Sequence, residues 1–118
     1  DFATRPDLEG FFAYIRLVVE GYSPPLHQHL EELVGRYPEV FDFRLILGLS
    51  YALQGQVTVA RSLTENMPEL GLGAPRYLRV AAIVLGRPAE DLIAPGERER
   101  LLPRERYLMS RSRAESTP

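Results

Sequence analysis

Residues 45–60 read LILGLSYALQGQVTVA, and the spacing of the small and aromatic residues in this stretch decides the fold. Gly48 is small enough to let a facing helix approach closely, and Tyr51, one turn later, can fill the space beside it. Gly55 accepts the positive backbone dihedral that ends a helix and lets the next helix fold back. Ala60 is small where the second helix must cross the first. The stretch therefore predicts a helical hairpin.

The composition is that of an ordinary globular protein. The chain has 118 residues, of which 45% are hydrophobic and 25% are charged, enough for one domain with a single core. It contains no Cys, which excludes disulfides, a thiol nucleophile and thiolate metal ligands. This composition favours a reducing compartment, and we expect a cytoplasmic protein. The net charge of -2 gives no reason to expect nucleic acid or an anionic membrane as a partner.

Helix signals recur along the whole chain. Ser23 is a candidate N-cap before a pair of prolines, and Pro103 is expected to divide a charged helical segment over residues 97–110. The apolar run at residues 11–19 contains Arg16 and is too short to insert into a membrane. Residues 111–118 are polar, and we expect a disordered tail there. The other predicted helices cover residues 7–20, 25–36, 39–55, 56–66, 75–85 and 89–93.

A shift of 34 residues aligns the first predicted hairpin with the second. It places Gly21 on Gly55 and Leu17 on Tyr51. A period of about 34 residues, with Leu-Gly, then Tyr, then Ala on a second helix, is the tetratricopeptide signature. The chain thus resembles the tetratricopeptide repeat family. We expect one domain over residues 1–110, with repeat units at residues 7–40, 41–74 and 75–110.

The resemblance implies an all-α fold. Its antiparallel helical hairpins would stack as a right-handed superhelix of about two and a half repeats, followed by a C-terminal capping helix. The chain departs from the family pattern at several places, including Leu26 where a small Ala is usual and Pro68, which comes four residues early. Arg44 stands where the family has a bulky aromatic residue, Thr64 stands where another aromatic is usual, and Pro95 interrupts the second helix of the third unit. The resemblance is therefore to a divergent member.

In the family geometry, the first helix of each unit lines a concave groove. Such a groove would be apolar, with two arginines at one end, and would suit an apolar or amphipathic segment of a partner protein with an acidic flank. We therefore expect a non-catalytic protein-interaction module. Two alternatives stay open: an accessory domain of a larger enzyme or membrane protein, and a self-associating unit. Residues 97–110 or a second copy of the chain could also cover the groove. The predicted groove residues are Phe11, Ile15, Val19, Leu45, Leu49, Arg76 and Arg79.

Signals for catalysis or metal binding are weak. His27 and His29 are two residues apart, so on a helix they point in roughly opposite directions and cannot share a metal ion. Glu31 and Glu32 are adjacent and are expected to be solvated. No Ser lies in a nucleophile-elbow pattern, and no Gly-rich phosphate-binding loop is present. The sequence predicts no enzyme activity and no cofactor.

Overall fold

A computed structural model describes the backbone of residues 6–66 and 68–116, and the side chains of residues 8–66 and 68–111. This part of the chain contains helices and no strand, as the sequence predicts. Short 3-10 turns at Ala89–Asp91 and Arg98–Arg100 lie between the last two α-helices. The α-helices are α1 (Pro6–Glu20), α2 (Pro24–Arg36), α3 (Phe41–Leu53), α4 (Val57–Leu63), α5 (Arg76–Val84) and α6 (Pro103–Ser116).

The chain divides into two compact units, which differs from the single domain expected over residues 1–110. The N-terminal unit is Asp1–Met67 and holds α1 to α4, and the C-terminal unit is Pro68–Pro118 and holds α5 and α6. The division lies inside the predicted second repeat, residues 41–74. Both helices of that predicted repeat, α3 and α4, belong to the N-terminal unit.

Helix α3 is the centre of the N-terminal unit. It packs against α1, α2 and α4. Its side chains are buried on every side over six consecutive residues, from Leu45 to Ser50, together with Phe43. A helix that is apolar nearly all round needs neighbours on more than one face, and α3 has three. Ala60 on α4 is fully buried, as expected for the small residue at a helix crossing.

The predicted helix boundaries in the N-terminal unit are close to those of the structure. Gly21 and Gly55, which the 34-residue shift aligns, both have φ of +84° and end α1 and α3. At α3 the N–H of Gly55 donates to Ala52 O and that of Gln56 to Tyr51 O, the paired bonds of a Schellman motif. The Ser23 hydroxyl accepts from the Leu26 N–H at 3.4 Å, so the predicted N-cap of α2 is confirmed.

Helix α4 is shorter than the predicted helix over residues 56–66. It ends at Leu63, because the hydroxyl and the backbone N–H of Thr64 bond the carbonyls of the last turn in place of a continuing helix. The Thr64 hydroxyl donates to Ala60 O at 3.1 Å, and its backbone N–H donates to Arg61 O. A side-chain hydroxyl that takes the i−4 carbonyl competes with continuation of the helix.

In the C-terminal unit α5 packs against α6, and α6 begins where Pro103 predicts a break. Glu105, three residues after Leu102, accepts the Leu102 N–H at 2.8 Å, as in a capping box. The helix continues to Ser116, six residues into the stretch at 111–118 where the sequence predicts a disordered tail. Residues 117–118 lie outside the described range. Arg, Ala and Glu in this stretch are good helix formers, which explains the extension.

Candidate docking surface on the first helix

Helix α1 carries two apolar faces on opposite sides. One face is buried in the N-terminal unit and contains Ala13, Tyr14, Leu17 and Val18. At 100° per residue, Leu8, Phe12, Ile15 and Val19 cluster on the other side of the helix, about half a turn away. A helix that buries only one face in its own fold does not need the second to be apolar.

The second face is accessible to solvent. Phe12 is 59% exposed and Val19 is 60% exposed, with Ile15 and Leu8 partly buried between and beside them. Phe11 is 40% exposed at the edge of this face and lies 6.2 Å from the Phe12 ring, centroid to centroid. We call Leu8, Phe12, Ile15 and Val19 the α1 outer face. Three of the predicted groove residues, Phe11, Ile15 and Val19, therefore lie on or beside one solvent-accessible surface.

Charged side chains form one border of the α1 outer face. Arg16 Nε lies 3.2 Å from Glu20 Oε2, and both side chains are more than half exposed. Glu9 Oε2 lies 3.4 Å from His29 Nε2 on α2. An ion pair as exposed as Arg16–Glu20 contributes little to stability, and the Glu9–His29 contact is long, so Arg16 and Glu9 are available to a new neighbour at small cost.

Leu45 and Leu49 do not line a surface. Both have 0% exposure on α3 and belong to the core of the N-terminal unit. The prediction that they form part of a binding groove is corrected, because α3 has neighbours on three sides and its apolar residues face those neighbours. They lie beneath the predicted groove at most, and a partner cannot contact them without unfolding the unit.

Arg79, predicted to orient a partner by charge, is instead buried in the C-terminal unit. Its guanidinium donates to Glu97 through two bonds, Nη1 to Oε1 at 2.6 Å and Nη2 to Oε2 at 2.9 Å. Nε donates to Ala74 O at 2.8 Å, and Nη1 also donates to Leu92 O at 2.9 Å. Arg is suited to this position because its planar fork matches a carboxylate with two parallel hydrogen bonds. The Arg79 side chain is only 8% exposed, so it is structural.

The carboxylate of Glu97 is held firmly in its charged form. The hydrogen bonds from Arg79, together with one from the Ala94 N–H, lower the pKa of Glu97 from 4.5 to about 2. Arg76, also predicted in the groove, is half-buried. It donates to Arg100 O at 3.3 Å and lies 3.9 Å from Glu105. Both predicted groove arginines therefore bind acceptors of their own unit.

A buried polar cluster joins α2 to α3, and no motif in the sequence predicts it. His27 Nδ1 lies 2.8 Å from Ser50 Oγ, Gln54 Nε2 is 3.3 Å away, and the Tyr51 ring meets the imidazole edge-on at 4.5 Å. On the opposite side of the ring, His27 Nε2 is 3.5 Å from Glu31. A serine, a histidine and a carboxylate in a row have the order of a catalytic triad. Ser50, however, is fully buried, so no substrate can reach its hydroxyl.

The two histidines have separate partners, as their spacing on α2 predicts. His27 faces α3, while His29 meets Glu9 of α1. Among the side chains that the structure describes, no three His, Asp or Glu groups come together in a way that could hold a metal ion. None of the described helices is long and apolar enough to cross a membrane.

Comparisons with known proteins identify no relative of this chain. No protein-family model matches the chain, and no curated protein or solved structure has significant similarity to it.

Proposed function

We propose that this chain is a non-catalytic, tetratricopeptide-like interaction module that binds a helix of another protein molecule along the α1 outer face. The observation that carries the proposal is the exposure of Phe12 and Val19 on a helix whose opposite apolar face is already buried. Burying side chains of this size contributes roughly 1.5–3 kcal/mol each, enough for a few residues to dominate a small interface.

The proposed ligand is an amphipathic helix because of the shape and chemistry of this surface. The α1 outer face is a stripe one helix long, with apolar residues in its centre and charges on one border. Such a stripe is complementary to another helix with the same pattern, which binds by apolar anchors at i, i+3, i+4 and i+7. The tetratricopeptide-like stacking is part of the proposal. It is supported by the 34-residue period and by Gly21 and Gly55 with the same positive φ.

The test is capture of a binding protein by the parent chain, followed by titration with the purified captured protein. The informative variant is Val19→Arg, which places a charge on the α1 outer face at a residue that is 60% exposed. Val59→Arg is the matched control, because Val59 is 40% exposed on α4 of the same unit and the chemical change is identical. Circular dichroism verifies that both variants are folded.

We expect the parent chain and Val59→Arg to bind with the same affinity, and Val19→Arg to bind at least tenfold more weakly, or about 1.4 kcal/mol. Equal binding by all three proteins would show that the α1 outer face is not the site. Equal weakening by Val19→Arg and Val59→Arg would also contradict the proposal. It would show that an added arginine weakens binding wherever it lies on the unit.

A further inference from the structure

We infer that the partner of the α1 outer face is the same face of a second copy of this chain, with the two α1 helices antiparallel about a two-fold axis. The inference rests on the proposed function, because it names the partner of the same surface. The evidence for it is the residue spacing of the α1 outer face and the charges on the border of that face.

The spacing of the α1 outer face is that of a coiled-coil seam. Leu8, Phe12, Ile15 and Val19 are separated by four, three and four residues. This is the alternation of d and a positions in two successive heptads, with Leu8 and Ile15 at d and Phe12 and Val19 at a. Such a stripe is narrower than the apolar face of an ordinary surface helix, and its usual occupant is another helix with the same stripe.

The charged border is complementary to itself only in the antiparallel direction. In that arrangement Phe12 of one copy packs against the Ile15 position of the other, and Leu8 against the Val19 position. The e positions then meet each other across the axis. Those positions hold Glu9 and Arg16, so each Glu9 lies opposite an Arg16 and the two-fold axis produces this pair twice.

A parallel pair would not bring these charges together. There, e positions meet g positions, and the g positions of α1 are Phe11 and Val18, neither of which is charged. Val18 is moreover buried within its own unit. The charge pattern therefore favours the antiparallel pair over the parallel one, and it also opposes an acidic or basic helix of uniform sign as the partner.

The interface is small, since it consists of one helix of 15 residues from each copy. Interfaces of this size lie at the lower end of the specific range, so we expect a reversible dimer with Kd on the order of 10–100 μM. Association would then depend on the concentration of the chain and on the contribution of each apolar side chain in the seam.

The test is analytical ultracentrifugation of the whole chain over a range of concentrations. The parent chain and Val59→Arg are expected to dimerise alike, and Val19→Arg is expected to weaken dimerisation at least tenfold. Glu9→Arg and Arg16→Glu each place like charges opposite each other twice, so each single variant is expected to dimerise more weakly. The double variant restores both opposite-charge pairs, and its Kd is expected to return to within about threefold of the parent value.

A chain that is monomeric at all concentrations overturns the inference. So does dimerisation that Val19→Arg does not weaken, or a double charge variant that is weaker than either single variant. A monomeric chain that still binds a different protein in a Val19-dependent way overturns the self-association alone and leaves the proposed function standing. A monomeric chain that shows no Val19-dependent binding overturns both.

Discussion

The two units of the chain satisfy their buried polar groups by different chemistry. The N-terminal unit places the Ser50 hydroxyl and the Gln54 amide beside His27, within a core made mainly by α3. The C-terminal unit places a guanidinium against a carboxylate, Arg79 against Glu97, and uses the same pair to hold two loop carbonyls. The difference is that the second unit holds charged groups in its interior, Arg79 with Glu97 and the carboxylate of Glu105, where the first unit uses a hydroxyl, an amide and an imidazole.

The largest expected effect is on the C-terminal unit and comes from Arg79→Met. The substitution keeps the apolar stem but removes the donors to Ala74 O and Leu92 O, and leaves Glu97 without its main partner. Removing one member of a buried ion pair costs about 3–5 kcal/mol. Hydrogen exchange followed by mass spectrometry measures the loss separately in each unit.

Arg76→Met is the control for this substitution, because Arg76 lies one turn earlier on the same helix and is 40% exposed. Its cost is expected to be smaller, about 1–2 kcal/mol, because its 3.9 Å contact with the buried Glu105 is long and Glu105 keeps the hydrogen bond from the Leu102 N–H. Similar destabilisation by both variants would show that the Arg79–Glu97 pair has no special role. Faster exchange in α3 than in α5 of Arg79→Met would contradict the contrast between the units.

The second effect is on acid stability. The pKa of Glu97 is lowered to about 2 in the folded chain from 4.5, so this carboxylate stabilises the fold above pH 4.5. The contribution is lost as the pH falls from about 4.5 to about 2, and we expect it to be about 2 kcal/mol after solvent screening. Urea unfolding at several pH values measures it. Glu97→Gln cannot titrate at this position, and a variant with the same acid slope as the parent chain would refute the assignment.

A smaller effect is expected from Ser50→Ala in the N-terminal unit. The substitution removes a hydroxyl that lies 2.8 Å from His27 Nδ1 in the core, while the Gln54 amide stays within reach. A buried hydrogen bond of this kind contributes about 1 kcal/mol. Urea unfolding followed by circular dichroism measures the change. A loss as large as that of Arg79→Met would show that the two units depend on buried polar contacts equally.

The smallest effects come from two glycines of the N-terminal unit and have opposite signs. Gly55→Ala forces a side chain into a backbone with φ of +84° and is expected to destabilise by about 1 kcal/mol. Gly35 lies within α2 without a positive φ, so Gly35→Ala is expected to stabilise by about 0.5–1 kcal/mol. An added Cβ meets nothing within 4 Å at either position, so packing does not confuse the comparison. Thermal unfolding of both variants checks the signs, and equal signs would contradict the account.

The sequence predicted the local features of the fold well. The Ser23 cap, the glycine ends of α1 and α3 and the break before Pro103 depend on residues within one or two turns, and the residue types at those positions show them directly. The end of α4 was missed because the Thr64 hydroxyl competes for a carbonyl, which spacing alone does not reveal. Helix α6 was predicted too short, because polar composition was given more weight than helix propensity.

The candidate site was predicted only in part, for a similar reason. Ile15 and Val19 follow from the spacing within α1, and both lie on its outer face. Leu45 and Leu49 have the same local pattern on α3, and only the neighbours of α3 decide that they are core. Arg79 meets a carboxylate 18 residues later, and the sequence offers several acidic residues as its partner. An arginine surrounded by apolar residues on α5 was the one signal that pointed to a buried ion pair.

The most direct test of the central claim, that the α1 outer face meets a second copy of itself, is a map of the contact by nuclear magnetic resonance. The amide spectrum of the isotope-labelled chain is recorded at low and high concentration. We predict that the concentration-dependent shifts lie in α1, from Leu8 to Val19, and that at the same concentration they are much smaller in Val19→Arg but unchanged in Val59→Arg. The expected Kd is about 10–100 μM, so a chain that dimerises must show shifts at concentrations well above about 100 μM. The absence of concentration-dependent shifts at such concentrations would contradict the claim. So would shifts centred on any other helix.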